Sequence, residues 1–147
     1  MPERPTSSPV LALLTISSVW EARLSAALKD LGLSTRKYGL LAHIHASPGI
    51  SFSELARLSH ITVQTAHTAV RALQDEGLVQ DATAHAGAAS DLRATARGEA
   101  ALTEAEARLA RLDTQFAKEA PRLADLLNEV HEEAVPHAAD GGTESFS

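Results

Sequence analysis

The chain has no cysteine among its 147 residues, so it holds no disulfide framework, no thiolate metal ligand and no cysteine-based redox sensor. Aromatic side chains are few: Trp20, Tyr38 and three phenylalanines. Cations are scarce too, with thirteen Lys and Arg against nineteen Asp and Glu, a formal net charge of −6 and a pI near 5.6. Nothing global therefore advertises nucleic-acid binding. The longest uninterrupted apolar run, Val10 to Leu14, is too short to span a membrane, and the N-terminus lacks a signal-peptide pattern, so a cytoplasmic protein without a membrane partner is expected. No nucleotide-binding loop or serine triad is present. The length suits one ordinary domain.

The remaining signal is helical and concentrates between Ser51 and Gln80. Ser51 and Glu54 make an S-x-x-E capping box, which starts a helix near Phe52. Ser59-His60-Ile61 forms a turn. Thr62 is an N-cap for a second helix, in which Ala66, Ala69, Val70 and Leu73 recur at helical spacing. Gly77 ends it as a left-handed C′ residue, and Leu78-Val79 turn extended. A short helix, a three-residue turn and a longer helix with short polar residues outside is the helix-turn-helix arrangement.

Around it, Ser8-Pro9 caps a first helix to about Leu31, with Leu13, Ile16, Trp20, Leu24, Ala27, Leu28 and Leu31 as its apolar stripe and Gly32 as its stop. Ser34 caps a second helix over Thr35 to Ala46, halted by Pro48-Gly49. A hairpin should run from Leu78-Val79 through Asp81 to Leu92 and return over Leu92 to Ala94, with its tip near Gly87. Thr95 caps a long helix, Ala96 to Glu119, with Leu102, Ala105, Leu109, Leu112 and Phe116 as a seam of coiled-coil type. After Pro121 a final helix of about three turns carries Leu123, Leu126, Leu127 and Val130.

The order SELARLSHITVQTAHTAVRALQDEGLV, preceded by LGLSTRKYGLLAHIHASPGIS and followed by ATARGEAAL, resembles the MarR family over roughly residues 10 to 130. The likeness rests on Leu55-Ala56, Ile61-Thr62, Val70, Leu73 and Gly77-Leu78-Val79. It implies a mainly α fold with a small β-hairpin wing, a winged helix-turn-helix carried by N- and C-terminal dimerisation helices. The expected organisation is a flexible arm over 1–8, one domain over 9–135 and a disordered tail over 136–147. Within the domain, 34–98 is the winged helix-turn-helix, and 9–31 and 96–135 are the dimerisation helices. The implied function is a ligand-responsive transcriptional regulator that binds double-stranded DNA as a homodimer, its ligand shifting the spacing of the two recognition helices.

By helical phase the exposed side of the recognition helix holds Val63, Gln64, His67, Thr68 and Arg71; the candidate DNA contacts are Thr62, Gln64, Thr65, His67, Thr68, Arg71 and Arg93. Gln64 suits adenine, and Arg71 a phosphate or guanine. Between Ile50 and Gly98, however, four arginines (Arg57, Arg71, Arg93, Arg97) face five acids (Glu54, Asp75, Glu76, Asp81, Asp91). Phosphate neutralisation supplies most non-specific affinity, so weak, salt-sensitive binding is expected. Counting from Gly77-Leu78-Val79, the family's wing arginine falls at Ala86 to Ala89, where there is none; if Asp91-Leu92-Arg93 is the wing motif instead, Arg93 keeps the minor-groove contact, and if it belongs to the return strand its plain role is an ordinary surface pair with Asp91.

The family also implies an aromatic or phenolic ligand between the lobes. Trp20, Tyr38, His43 and His45 are the candidates to line it; Tyr38 and His45 are seven apart and share a helix face, so with Trp20 they could surround a planar ligand, while His43 points roughly the other way. These side chains are equally explained as core and boundary residues. No His-x-x-x-His pair occurs, His60 and His67 lie two turns apart, and His131 with Glu132 and Glu133 reads as a solvated face, so no metal site and no cofactor is expected. The alternative to a regulator is a MarR-like protein that has lost DNA binding and serves as a small-molecule binder or as an enzyme in specialised metabolism. Its acid–base groups would be Tyr38, His43 and His45.

Overall fold

The computed structural model describes residues 8–83, 85 and 90–134. Residues 1–7 of the expected arm, 84 and 86–89 around the expected hairpin tip, and 135–147 with the expected tail lie outside them. Helices α1 (Pro9–Leu28), α2 (Thr35–Ala46), α3 (Phe52–Leu58) and α4 (Val63–Asp75) precede a hairpin of β1 (Val79–Asp81) and β2 (Leu92–Ala94). Helices α5 (Ala96–Glu119) and α6 (Pro121–Ala134) follow, and a single 3-10 turn, Lys29–Leu31, prolongs α1. The chain divides into two compact units, Met1–Leu109 and Ala110–Ser147.

Each helix of the first unit begins where a hydroxyl replaces a missing backbone acceptor. Ser8, Ser34 and Ser51 Oγ accept from Leu11, Lys37 and Glu54 N–H at 3.3, 3.2 and 3.2 Å. Thr62 and Thr95 Oγ1 accept from Thr65 and Gly98 N–H at 3.1 and 3.0 Å. Such a cap contributes about 1 kcal/mol. The expected capping box at Ser51 is only half made: the Glu54 carboxylate turns to Arg57, whose Nε donates to it at 3.0 Å. A guanidinium one turn on is a better partner for a carboxylate than a neutral amide.

The ends of α1 and α4 are left-handed glycines, Gly32 (φ 72°) and Gly77 (φ 74°). Beyond them Leu33 N–H donates to Leu28 O and Leu78 N–H to Leu73 O, so both carry the Schellman pattern. The helix-turn-helix itself closes without a glycine, since His60 takes φ 53°. A non-glycine residue there costs about 1 kcal/mol.

The core of this unit gathers around α2. Leu28, Leu40, Leu41, Ile44, Leu55, Val70, Leu73 and Leu92 are fully or almost fully buried, so α1, α2, α3, α4 and β2 share one apolar interior. The hairpin pairs Val79 with Ala94, Gln80 with Arg93 and Asp81 with Leu92. A third segment joins it: Ile50 bridges Leu92, and Gly49 N–H donates to Leu92 O at 2.8 Å. A single bridge thus fastens the residues after α2 to the hairpin, a contact the Pro-Gly stop conceals in the sequence.

Two apolar surfaces lie open, one in each unit. On α1, Val10, Leu11, Leu13 and Leu14 are each more than half exposed. The uninterrupted run Val10 to Leu14 understates this face: the helix Pro9–Leu31 as a whole is long and apolar enough, by length and composition, to cross a membrane. On α6, Leu126, Leu127 and Val130 are exposed.

Candidate functional site

Helix α4 buries Ala66, Val70 and Leu73 and turns Val63, Gln64, His67, Thr68 and Arg71 outward. Apolar residues three and four apart fix this rotation, so the outward row is a consequence of the packed one. Not every outward side chain is uncommitted. The Thr62 hydroxyl caps the helix and donates to Thr65 Oγ1 at 2.9 Å. Thr68 Oγ1 donates to Gln64 O at 3.1 Å. The His67 ring stacks on Phe52 of α3, centroids 3.7 Å apart and planes at 19°. His67 is therefore a strut between the two helices of the motif. Gln64 and Arg71 remain as long polar side chains, and Arg71 has no ion-pair partner among the described residues.

The charge around this row differs from the count over Ile50–Gly98. Arg57 pairs with Glu54, and Arg93 Nε with Asp91 Oδ1 at 3.0 Å. Arg93 sits on β2 opposite Gln80, away from the tip. On the acidic side, Lys37 of α2 reaches Glu76 at the end of α4, with Nζ 3.0 Å from Oε1. Asp81 accepts from Thr83 and from Asp91 N–H, which holds its carboxyl below the usual aspartate value, the Thr83 hydroxyl contributing most. Most acids near the motif are thus already engaged.

A cation absent from the candidates named by helical phase, Arg36, joins the row. Ser34, Arg36 and Lys37 at the start of α2 and Gln64, Thr65, Thr68, Ala69 and Ala72 of α4 border one groove of about 360 Å³. Arg36 is exposed and has no ion-pair partner among the described residues. Its signal in the sequence is the capped run Ser34-Thr35-Arg36-Lys37, which places two adjacent cations in the first turn of a helix.

The expected ligand residues do not converge. His43 lines a cleft of about 460 Å³ with Glu21 of α1, Thr35, Arg36, Gly39 and Leu40 of α2, and Ser59, His60 and Ile61 of the α3–α4 turn. His45 lies on another side of α2, in a smaller cleft with Gln80, Arg93 and Glu99, its Nδ1 3.7 Å from Glu99 Oε1. Neither cleft is lined by Trp20 or Tyr38. Tyr38 packs partly buried against the core, and Trp20 carries the Arg23 guanidinium 4.3 Å above its ring. Of the four ligand candidates, His43 and His45 thus border two separate clefts, and neither of these clefts gathers Trp20, Tyr38 and His45 together. Among the described residues no three His, Cys, Asp or Glu side chains converge as a metal site.

A capped helix-turn-helix followed by an antiparallel hairpin defines the class of winged-helix transcription regulators. The MarR family model matches residues 31–87. The HTH-type transcriptional repressor Rv2887 of Mycobacterium tuberculosis is 38% identical over 96 residues, 65% of this chain and 69% of that protein. The chain belongs to the MarR family. A crystal structure of Rv2887 in complex with DNA superposes with a TM-score of 0.71 at 28% identity, covering 88% of this chain and 99% of that one. One with salicylic acid gives 0.67 at 29%, covering 88% and 98%. A MarR family regulator from Rhodococcus sp. RHA1 shares the fold with a TM-score of 0.74 at 18% identity, covering 90% and 93%.

Proposed function

We propose that this chain is a ligand-responsive transcriptional regulator that binds double-stranded DNA as a homodimer. The observation that carries the reading is the outward row of α4, with Gln64 and Arg71 on the recognition helix and Arg36 beside it across one groove. Gln64 offers the paired donor and acceptor that suit an adenine edge, and the two arginines suit phosphates or guanine. Two cations outside the Ile50–Gly98 count ease the charge objection: Lys37 offsets Glu76 and Arg36 stands beside α4, whereas the Glu54–Arg57 and Asp91–Arg93 pairs leave the balance unchanged. The relative Rv2887 has been crystallised with DNA and with salicylic acid, which supports both halves of the reading.

The homodimer rests on the bare apolar faces. Six large aliphatic side chains on α1 and three on α6 stand exposed, more than a monomeric soluble protein leaves in water. A second copy of the chain, meeting these helices with its own, would cover them and set two recognition helices for a palindromic operator. Such a regulator works in the compartment that holds the DNA, the cytoplasm. The domain that does this spans 9–135, with 34–98 as the reading head.

The ligand half rests on the His43 cleft, where Leu40 and Ile61 give apolar walls and Thr35, His43 and His60 give polar handles. The test is a mobility-shift assay of the purified dimer on DNA flanking its own gene and on unrelated DNA, with and without salicylate. Selective retardation relieved by salicylate is expected; equal retardation of both fragments would overturn the reading.

A further inference from the structure

The cleft that holds His43 and the groove beside the recognition helix share a residue. Arg36 lines both, with α2 between them. It is exposed and free of ion pairs among the described residues, so its guanidinium can settle on either side. The cleft side has reason to attract an anion. Arg36 is the cation on its walls, and His43 and His60 add ring nitrogens able to hydrogen-bond, against one carboxylate, Glu21. Ser59 Oγ, at the same cleft, is buried without a hydrogen-bond partner among the described residues. A buried hydroxyl left unpaired costs free energy that a ligand acceptor would recover.

We propose that Arg36 is a competitive switch: an organic anion in the His43 cleft captures the guanidinium that otherwise holds a DNA phosphate beside α4. This rests on the DNA-binding reading above and adds how the ligand acts. The two anions compete for one cation, so release needs no change in the separation of the recognition helices. An arginine suits the role because its planar fork meets a carboxylate and a phosphate equally well. With the ligand bound, one phosphate per protomer is no longer neutralised, and this must appear in the salt dependence of DNA binding. Two phosphates given up per dimer flatten the slope of log K against log salt by about 1.8.

The structure supplies a test that needs no knowledge of the ligand. Gly39 lines the cleft one turn beyond Arg36, and a β-carbon built on it meets nothing within 4 Å. Gly39→Glu therefore tethers a carboxylate in the cleft, at the i+3 position from which it can reach Arg36. Gly39→Gln is its uncharged match in size. DNA affinity and salt slope are to be measured for the wild type, Gly39→Glu, Gly39→Gln, Arg36→Gln and the double variant Arg36→Gln/Gly39→Glu. Circular dichroism and sedimentation would confirm folded dimers.

The expected result is that Arg36→Gln and Gly39→Glu each flatten the slope by about 1.8. Gly39→Glu should bind DNA several-fold more weakly than Gly39→Gln, and should add nothing once Arg36 is already glutamine. Equal affinity of Gly39→Glu and Gly39→Gln would overturn the proposal. So would an undiminished effect of Gly39→Glu in the Arg36→Gln background, which would mean general repulsion of DNA. Wild-type protein that fails to select its flanking DNA would overturn the DNA-binding reading itself, before any variant is compared.

Discussion

Gly98, in the first turn of α5, lies so close to Leu78 that a β-carbon on it would stand 2.0 Å from the Leu78 carbonyl oxygen. That oxygen already accepts from Thr95 N–H at 3.0 Å, and the Thr95 hydroxyl donates to Gly77 O at 2.6 Å. The start of the long helix is thus seated on the turn that ends the recognition helix.

Replacing that glycine should unseat α5. Gly98→Ala raises intrinsic helix propensity but forces the backbone of Leu78 away. Overpacking of this kind costs about 1–3 kcal/mol, more than the propensity gain of about 1 kcal/mol. A drop of several degrees in the thermal midpoint is expected. An unchanged or higher midpoint would show that the contact relaxes freely.

Arg71→Ala should weaken DNA binding and leave the dimer intact. One cation removed from each recognition helix should also flatten the salt slope by about 1.8. Affinity equal to wild type, measured by fluorescence anisotropy on the flanking fragment, would refute the docking of α4 described above.

The stacked pair Phe52–His67 should behave as packing. Phe52→Leu and His67→Ala should each lower stability, and a double-mutant cycle should return a coupling of about 0.5–1.5 kcal/mol. Additive losses would mean that the rings merely lie near each other.

Arg108 ties α5 to the end of α1, donating to Ala27 O at 2.7 Å and to both Asp30 oxygens, and its Nε donates to Glu104. The Arg108 guanidinium holds the Asp30 carboxyl below its usual value, chiefly by that hydrogen bond. A carboxylate whose folded pKa is depressed adds stability above its unfolded pKa and loses it as pH falls through the folded value. Stability should therefore drop below about pH 4, and Asp30→Asn should soften that acid limb of the unfolding curve. Identical acid limbs for wild type and Asp30→Asn would remove this pair from the account.

Apolar faces on α1 and α6 should be covered in the dimer. Leu14→Glu, at a position 59% exposed in the isolated chain, should shift sedimentation towards monomer without loss of α2–α4 structure. A dimer of unchanged stability would place the interface elsewhere.

The sequence made the frame legible because caps and stops act locally. Ser34 and Ala46 bound α2, Thr62 and Gly77 bracket the recognition helix, and Leu92 to Ala94 return as β2, all as expected from neighbouring residues. Most of what it concealed joins residues far apart in the chain. Lys37 meets Glu76 across 39 positions, and Ile50 finds Leu92 through one bridge with no strand pattern around it. Glu54 takes Arg57 over the capping box because the carboxylate has a charged competitor within reach. The candidate site suffered most from this. His67 faces outward as its phase requires, yet its ring is spent on Phe52, and His43 and His45 open into separate clefts. Arg36 is invisible to a charge count that begins at residue 50, because the groove it borders crosses from α2 to α4.

The most direct test of the central claim is the salt series on DNA flanking the protein's own gene. With Arg36 and Arg71 of each protomer each meeting a phosphate, as proposed, about four phosphates per dimer would be neutralised. Selective binding at low ionic strength is expected, with a slope of about −3.6 in log K against log salt. A folded dimer that shows no selective binding even at low salt would contradict it.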